Sequence, residues 1–124
     1  MSYRTTHAMS IATGATGLSS ASQDLNGLKV IGIQMPADWA AADITLQGSP
    51  DNTTYWNVYD SDDAEVVIQA AEDRMITLND VEMRAINAFR YIKLRSGTSG
   101  TPVDQTTTRV VTLICEHESD GGHA

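Results

Sequence analysis

Three cations, Arg90, Lys93 and Arg95, fall within six residues of a chain whose net charge is −8. Guanidinium and ammonium groups grouped in this way can pair with carboxylates or other acidic groups of a partner. The stretch that carries them, Arg-Tyr-Ile-Lys-Leu-Arg-Ser-Gly over 90–97, has the cleanest strand signal in the chain. Side chains alternate along a strand, so Ile92 and Leu94 share one face while Tyr91, Lys93 and Arg95 share the other. A Gly/Ser/Thr/Pro stretch at 96–102 follows and reads as a long exposed loop. Its hydroxyls at Thr98, Ser99 and Thr101 complete a set of six candidate partner-contact residues: Arg90, Lys93, Arg95, Thr98, Ser99 and Thr101. The competing reading is that the cations are solvated outer-face residues or protect a sheet edge from pairing.

Other chemistries are poorly supplied. Serines are plentiful, but no Gly-x-Ser-x-Gly elbow occurs. His7, His117 and His123 all fall in end segments, where a general base is badly held against its target. Cys115, Glu116, His117 and His123 offer zinc ligands, but their spacing matches no structural zinc pattern and Glu116 points away from the other strand residues. Asp51, Asn52, Asp60, Asp62 and Asp63 are hard oxygen ligands of the kind calcium takes. They occupy turns at opposite ends of one short strand, roughly 20 Å apart, too far for one ion to join. Trp39, Trp56, Tyr55 and Tyr59 could stack on sugar rings, with Asp and Asn beside them as hydrogen-bond partners. Core filling competes with that reading. No catalytic, cofactor-binding or metal-ligating residues are therefore expected.

The elements that must position these residues are short. Residues 1–7 read as a flexible N-terminal arm and 8–13 as a first strand. Asp24-Leu25-Asn26-Gly27 is a turn signal. Leu28–Met35 reads as a buried strand in which Gly32 marks a bulge or a close backbone approach, and Pro36 ends it. Asp38–Ala42 is expected to form a single helical turn capped by Asp38, with Trp39 closing one end of the core. Strands follow at 43–48, 54–59, 65–70 and 74–78. In the 54–59 strand, Trp56 and Val58 are expected on one face and Tyr55, Asn57 and Tyr59 on the other. Residues 79–88 fit a distorted helix or a crossing loop, and periodicity does not choose between them. The strand over 109–115 is apolar on both faces, which suits burial on both sides or a subunit contact. Residues 116–124 read as a polar tail.

Seven or eight short strands separated by turn residues, with at most short helical turns, predict an all-β fold: an antiparallel β-sandwich of jelly-roll or Greek-key type over residues 8–115. The length suits one domain. Apolar residues make up 41% of the chain, a globular composition. The strong negative charge disfavours a nucleic-acid partner. A single cysteine allows no internal disulfide. No apolar run is long enough to span a membrane as a helix, and residues 1–10 lack the apolar core of a secretory signal.

Several segments together carry a resemblance. Leu28-Lys-Val-Ile-Gly-Ile-Gln-Met-Pro-Ala-Asp-Trp39 is followed by Ile44-Thr-Leu-Gln-Gly-Ser-Pro-Asp51 and Tyr55–Asp60. Arg90-Tyr-Ile-Lys-Leu-Arg-Ser-Gly-Thr-Ser-Gly-Thr-Pro-Val103 and Arg109–Ile114 close the series. This order resembles small β-sandwich structural proteins of tailed bacteriophages, and its arrangement is similar to discoidin-like and galactose-binding-like sandwiches. The resemblance implies a non-enzymatic virion component, first of all a capsid decoration or cement protein. It would be assembled in the host cytoplasm and bind the major capsid protein or another virion protein, often as a homo-oligomer such as a trimer. In that setting 96–107 and the N-terminal arm would be ordered by neighbours. A glycan-binding module of a tail or fibre is the alternative expectation.

Overall fold

Alternation of apolar and polar side chains builds two sheets that share one core. The computed structural model describes residues 2–118. In chain order the elements are β1 (Ser2–Ile11), β2 (Gln23–Asp24), β3 (Leu28–Gln34), β4 (Ile44–Ser49), β5 (Trp56–Asn57), β6 (Met75–Thr77), α1 (Asp80–Asn87), β7 (Tyr91–Ser96) and β8 (Arg109–Glu118). One four-stranded sheet has the order β1-β8-β3-β6 and the other the order β2-β7-β4-β5. Every pairing is antiparallel. The pairs β1·β8, β2·β7, β3·β6 and β4·β5 are the rungs of one long ribbon rolled on itself, which is the jelly-roll connectivity. The expected all-β sandwich is thus the observed fold.

The core lies between the sheets. From the first sheet, Val111, Leu113 and Cys115 of β8 and Val30 and Ile33 of β3 contribute; from the second, Ile44, Leu46, Ile92 and Leu94 do so, all fully buried. Val30 and Ile33 are three apart yet point the same way. The register with β8 slips between Val30 and Gly32, so the expected bulge at Gly32 is present. A Cβ there would stand 3.0 Å from the Ile76 carbonyl oxygen, which explains the glycine.

Helix α1 resolves the ambiguity over 79–88. Its start is a capping box: the Asn79 side chain accepts from the Glu82 N–H at 2.8 Å, and Glu82 accepts from the Asn79 N–H at 3.0 Å. Ile86 buries its face of the helix. Asn87 then acts as a surrogate strand. Its Oδ1 accepts from Val30 N–H at 2.8 Å and its Nδ2 donates to Val30 C=O at 3.0 Å. Those are the backbone groups of β3 that the short β6 does not reach.

Several expectations are corrected. Residues 2–7, expected as a flexible arm, are the first part of β1, because they pair in unbroken register with β8 out to Glu118. The strand β8 accordingly runs past 115 into the expected tail; 119–124 lie outside the described residues. Residues 37–38 form a turn and 39–42 are irregular, with no helical turn, and Asp38 accepts from Arg109 at 3.0 Å instead of capping. Trp39 does close the core, 3% exposed, with its indole N–H donating to Ala42 C=O. The expected strand over 54–59 shrinks to two residues, and that over 65–70 to isolated bridges at Glu65 and Ile68. Strand β8 is buried on one face only; Val110 on the other is 44% exposed.

Candidate functional site

The outer face of the second sheet gathers the cations singled out above. Strand β7 directs Tyr91, Lys93 and Arg95 to this face, and its neighbour β4 directs Thr45 and Gln47 there in register. Arg90, just before β7, forms a two-pronged ion pair with Asp24 of β2, at 3.0 and 3.1 Å. The Arg90 guanidinium, with the Asn26 N–H behind it, holds the Asp24 carboxyl below the usual carboxylate range. It also lies 5.0 Å from the centre of the Tyr91 ring. The Lys93 ammonium stands 4.7 Å over the Tyr55 ring. Arg90 and Lys93 are therefore each held in place by a neighbour.

Arg95 differs. It is only 5% exposed and is surrounded by acceptors from distant parts of the chain. It donates to Asn57 Oδ1 at 2.6 Å, to Thr45 Oγ1 at 3.2 Å and to Glu65 Oε2 at 3.4 Å. Glu65 in turn accepts the Ser99 N–H at 3.2 Å, and Thr45 donates to Gly97 C=O at 2.7 Å. Arg95 is thus removed from the set of free contact cations, and its charge is spent within the fold.

The same network corrects the picture of an exposed loop at 96–102 and of a 96–107 segment ordered by neighbours. Thr98 and Thr101 exchange backbone hydrogen bonds at 3.1 and 3.2 Å, and Val103 N–H returns to Ser96 C=O, giving a tight turn. Gln105, fully buried, donates to Ala40 C=O and Ser96 Oγ and accepts from Ala40 N–H. The loop is fixed by its own chain. Thr98 and Ser99 are half-buried, and Thr101 is exposed. Arg90 stands just before β7 and Lys93 within it, whereas Thr98, Ser99 and Thr101 lie in the turn beyond the far end of the strand, roughly 20 Å from Arg90, and Arg95 is sunk beneath the face. Sequence reasoning missed Glu65, Asn57, Thr45 and Gln105, whose partners lie far along the chain and leave no local signal.

The remaining candidates separate. Cys115 and His117 lie on the inner face of β8, with His117 4.9 Å from the Tyr3 ring and Glu116 on the opposite face. His123 lies outside the described residues. No cluster of three metal-ligating side chains exists among the described residues. The acidic turns serve themselves: Asp51 accepts the Thr53 and Thr54 N–H groups at 2.9 and 3.1 Å, which lowers its pKa. Asp60 accepts the Asp62 and Ala64 N–H groups at 2.9 and 3.1 Å. Of the aromatic set, Trp39 is buried, whereas Trp56 is 67% exposed although Val58, expected on the same face, is buried. It sits in register with Gly48, over which the Phe89 ring packs. Nearby, Val58, Tyr59, Val66, Val81, Arg84 and Phe89 help to line a shallow groove of about 290 Å³.

Burial pushes the Cys115 thiol up to about 11. The native thiol is expected to ignore thiol reagents at pH 8 and to react stoichiometrically once the chain is unfolded in urea. The sign for stability follows. Between the ordinary thiol value of 9.0 and about 11 the unfolded thiol ionises while the folded one stays protonated, so stability falls as pH rises through that window. Urea titrations at a series of alkaline pH values, with Cys115→Ala as control, measure it.

Comparison with known proteins finds no matching protein-family model, no matching curated protein and no matching solved structure.

Proposed function

We propose that this protein is a non-enzymatic structural component of a tailed-bacteriophage particle, a decoration or cement protein that docks on the major capsid protein of the head. The segment resemblance over residues 24–114 supports this reading. So does the jelly roll, a fold used by viral shell and glycan-binding domains alike, although fold by itself assigns neither. The observation that carries the proposal is the outer face of the second sheet. There Arg90, exposed and paired with Asp24, and Lys93, half-buried over the Tyr55 ring, are set on a rigid sheet within a strongly acidic molecule. Preorganised cations of this kind steer and orient a contact with an acidic patch at little ordering cost. Many copies of a modest contact then reinforce a lattice collectively.

The test adds purified protein to head shells that lack it and measures occupancy by co-sedimentation. Saturable binding that weakens roughly tenfold in Lys93→Glu, with unchanged thermal stability, is expected. Absence of binding to any shell or other virion assembly overturns the reading.

Trp56 favours a second reading, a glycan-binding module of a tail or fibre. An indole this exposed, with Tyr59 half-exposed three residues on, is a surface suited to stacking on a sugar ring. Glycan arrays followed by calorimetry on Trp56→Ala decide it; no binding at millimolar glycan removes it.

A further inference from the structure

The four sheet edges of the sandwich are unequal. Strand β6 is three residues long, and β2 and β5 are two each. Edges that short offer little to pair with. Strand β1 is ten residues long and also lies at an edge. It runs in unbroken register along β8, with no bulge and no proline. Its last turn is covered, because Ser20 N–H donates to Ser10 C=O at 2.8 Å. That bond also shows which way the backbone points. The Ser10 carbonyl faces away from β8, and alternation then turns the N–H and C=O of Arg4, Thr6 and Ala8 outward as well. Those three residues are exposed.

Charge favours one occupant. The sequence contains no Asp or Glu before Asp24, so the whole acidic excess lies beyond β1. The only formal charge on β1 is Arg4, already paired with Glu116 at 3.1 Å. In a molecule of net charge −8, this neutral edge is where a second copy can approach without opposing carboxylates.

We propose that β1 pairs antiparallel with β1 of a second copy across a two-fold axis, joining the two first sheets into one sheet of twice the width. Placing Thr5 on the axis sets Arg4 against Thr6 of the second copy and Tyr3 against His7, using only the uncovered part of the strand. Outward groups then meet outward groups, for about eight backbone hydrogen bonds. No like charges meet. Tyr3, 49% exposed in the single chain, gains a cross-strand neighbour on the inner face. The pairing is isologous and closes on itself, so it gives a dimer rather than a filament. The inference stands on the strand edge and does not depend on the capsid reading.

Sedimentation velocity and light scattering from about 1 to 100 µM are expected to show a dimer whose fraction rises with concentration. Thr6→Pro removes an outward N–H and leaves the β8 ladder intact, so dimerisation is expected to weaken roughly tenfold or more while the chain stays folded. Hydrogen exchange on the unmodified protein gives a second readout that does not need the variant. The amides of Arg4, Thr6 and Ala8 are expected to slow as concentration rises. A strictly monomeric protein, a Thr6→Pro variant that dimerises as before, or edge amides that slow only when a different protein is added overturns the proposal.

Discussion

Replacing Arg95 with alanine is expected to lower the unfolding free energy by about 3 kcal/mol, among the largest effects of any single polar substitution in this chain. The reason is what remains behind. Glu65, whose side chain is 14% exposed, loses its counter-charge, and Asn57 and Thr45 lose a donor. Breaking a buried ion pair leaves one charge unpaired, which costs far more than the pair contributed. Glu65→Gln is the informative companion. A glutamine still offers an oxygen to the Ser99 N–H, so it is expected to cost about 1 kcal/mol. The double variant Arg95→Ala/Glu65→Gln is then expected to cost less than the sum of the two, because the stranded carboxylate is gone. Urea unfolding followed by circular dichroism measures all three. A loss below about 1 kcal/mol for Arg95→Ala would return that residue to the free contact surface.

Gly97→Ala should be comparably damaging, for a backbone reason. Gly97 has φ = 91°, in the region that side chains avoid. A Cβ there would stand 2.5 Å from Thr101 C=O and 2.7 Å from Val103 N. Both contacts are backbone atoms of the tight turn, so neither can swing aside. Left-handed strain and the clash together are expected to cost about 3 kcal/mol and to lower the melting temperature by roughly 10 °C. Gly100, three residues on, has nothing within 4 Å of its Cβ position. Gly100→Ala is accordingly expected to stay within about 0.5 kcal/mol of the parent. Thermal unfolding of the two variants side by side separates a turn set from within the chain from a loop that waits for a neighbour. Equal behaviour would remove the pinned turn from the account.

Both outcomes bear on function, because they fix which part of the second sheet's outer face is free to meet a partner. Arg95 and the 97–105 segment belong to the fold. Arg90, exposed beside Asp24, and Lys93, half-buried over Tyr55, stand on that scaffold. A docking defect in an Arg95 variant would therefore travel with loss of stability, whereas a defect in Lys93→Glu would not.

Much of the architecture was determined by the sequence alone. Alternation in 91–96 is a local, two-residue period, and it set which face of β7 is apolar before any partner strand was known, whereas 109–115, apolar on both faces, left the buried face of β8 to the tertiary structure. Gly32 announced its bulge, and Trp39 its place in the core. The capping pair Asn79 and Glu82 also lay in plain view, although hydrophobic periodicity gave it no weight. The tertiary structure decided the rest. Residues 2–7 look polar and mobile, because an edge strand draws its order from the ladder it joins, not from its own apolar pattern. Trp56 turns to solvent because its strand is only two residues long and ends at the margin of the sheet. Arg95 is buried because Glu65, Asn57 and Thr45, 30, 38 and 50 residues away in sequence, close over it. A charge shows its partner only once the chain has folded; its type and spacing show only that it needs one.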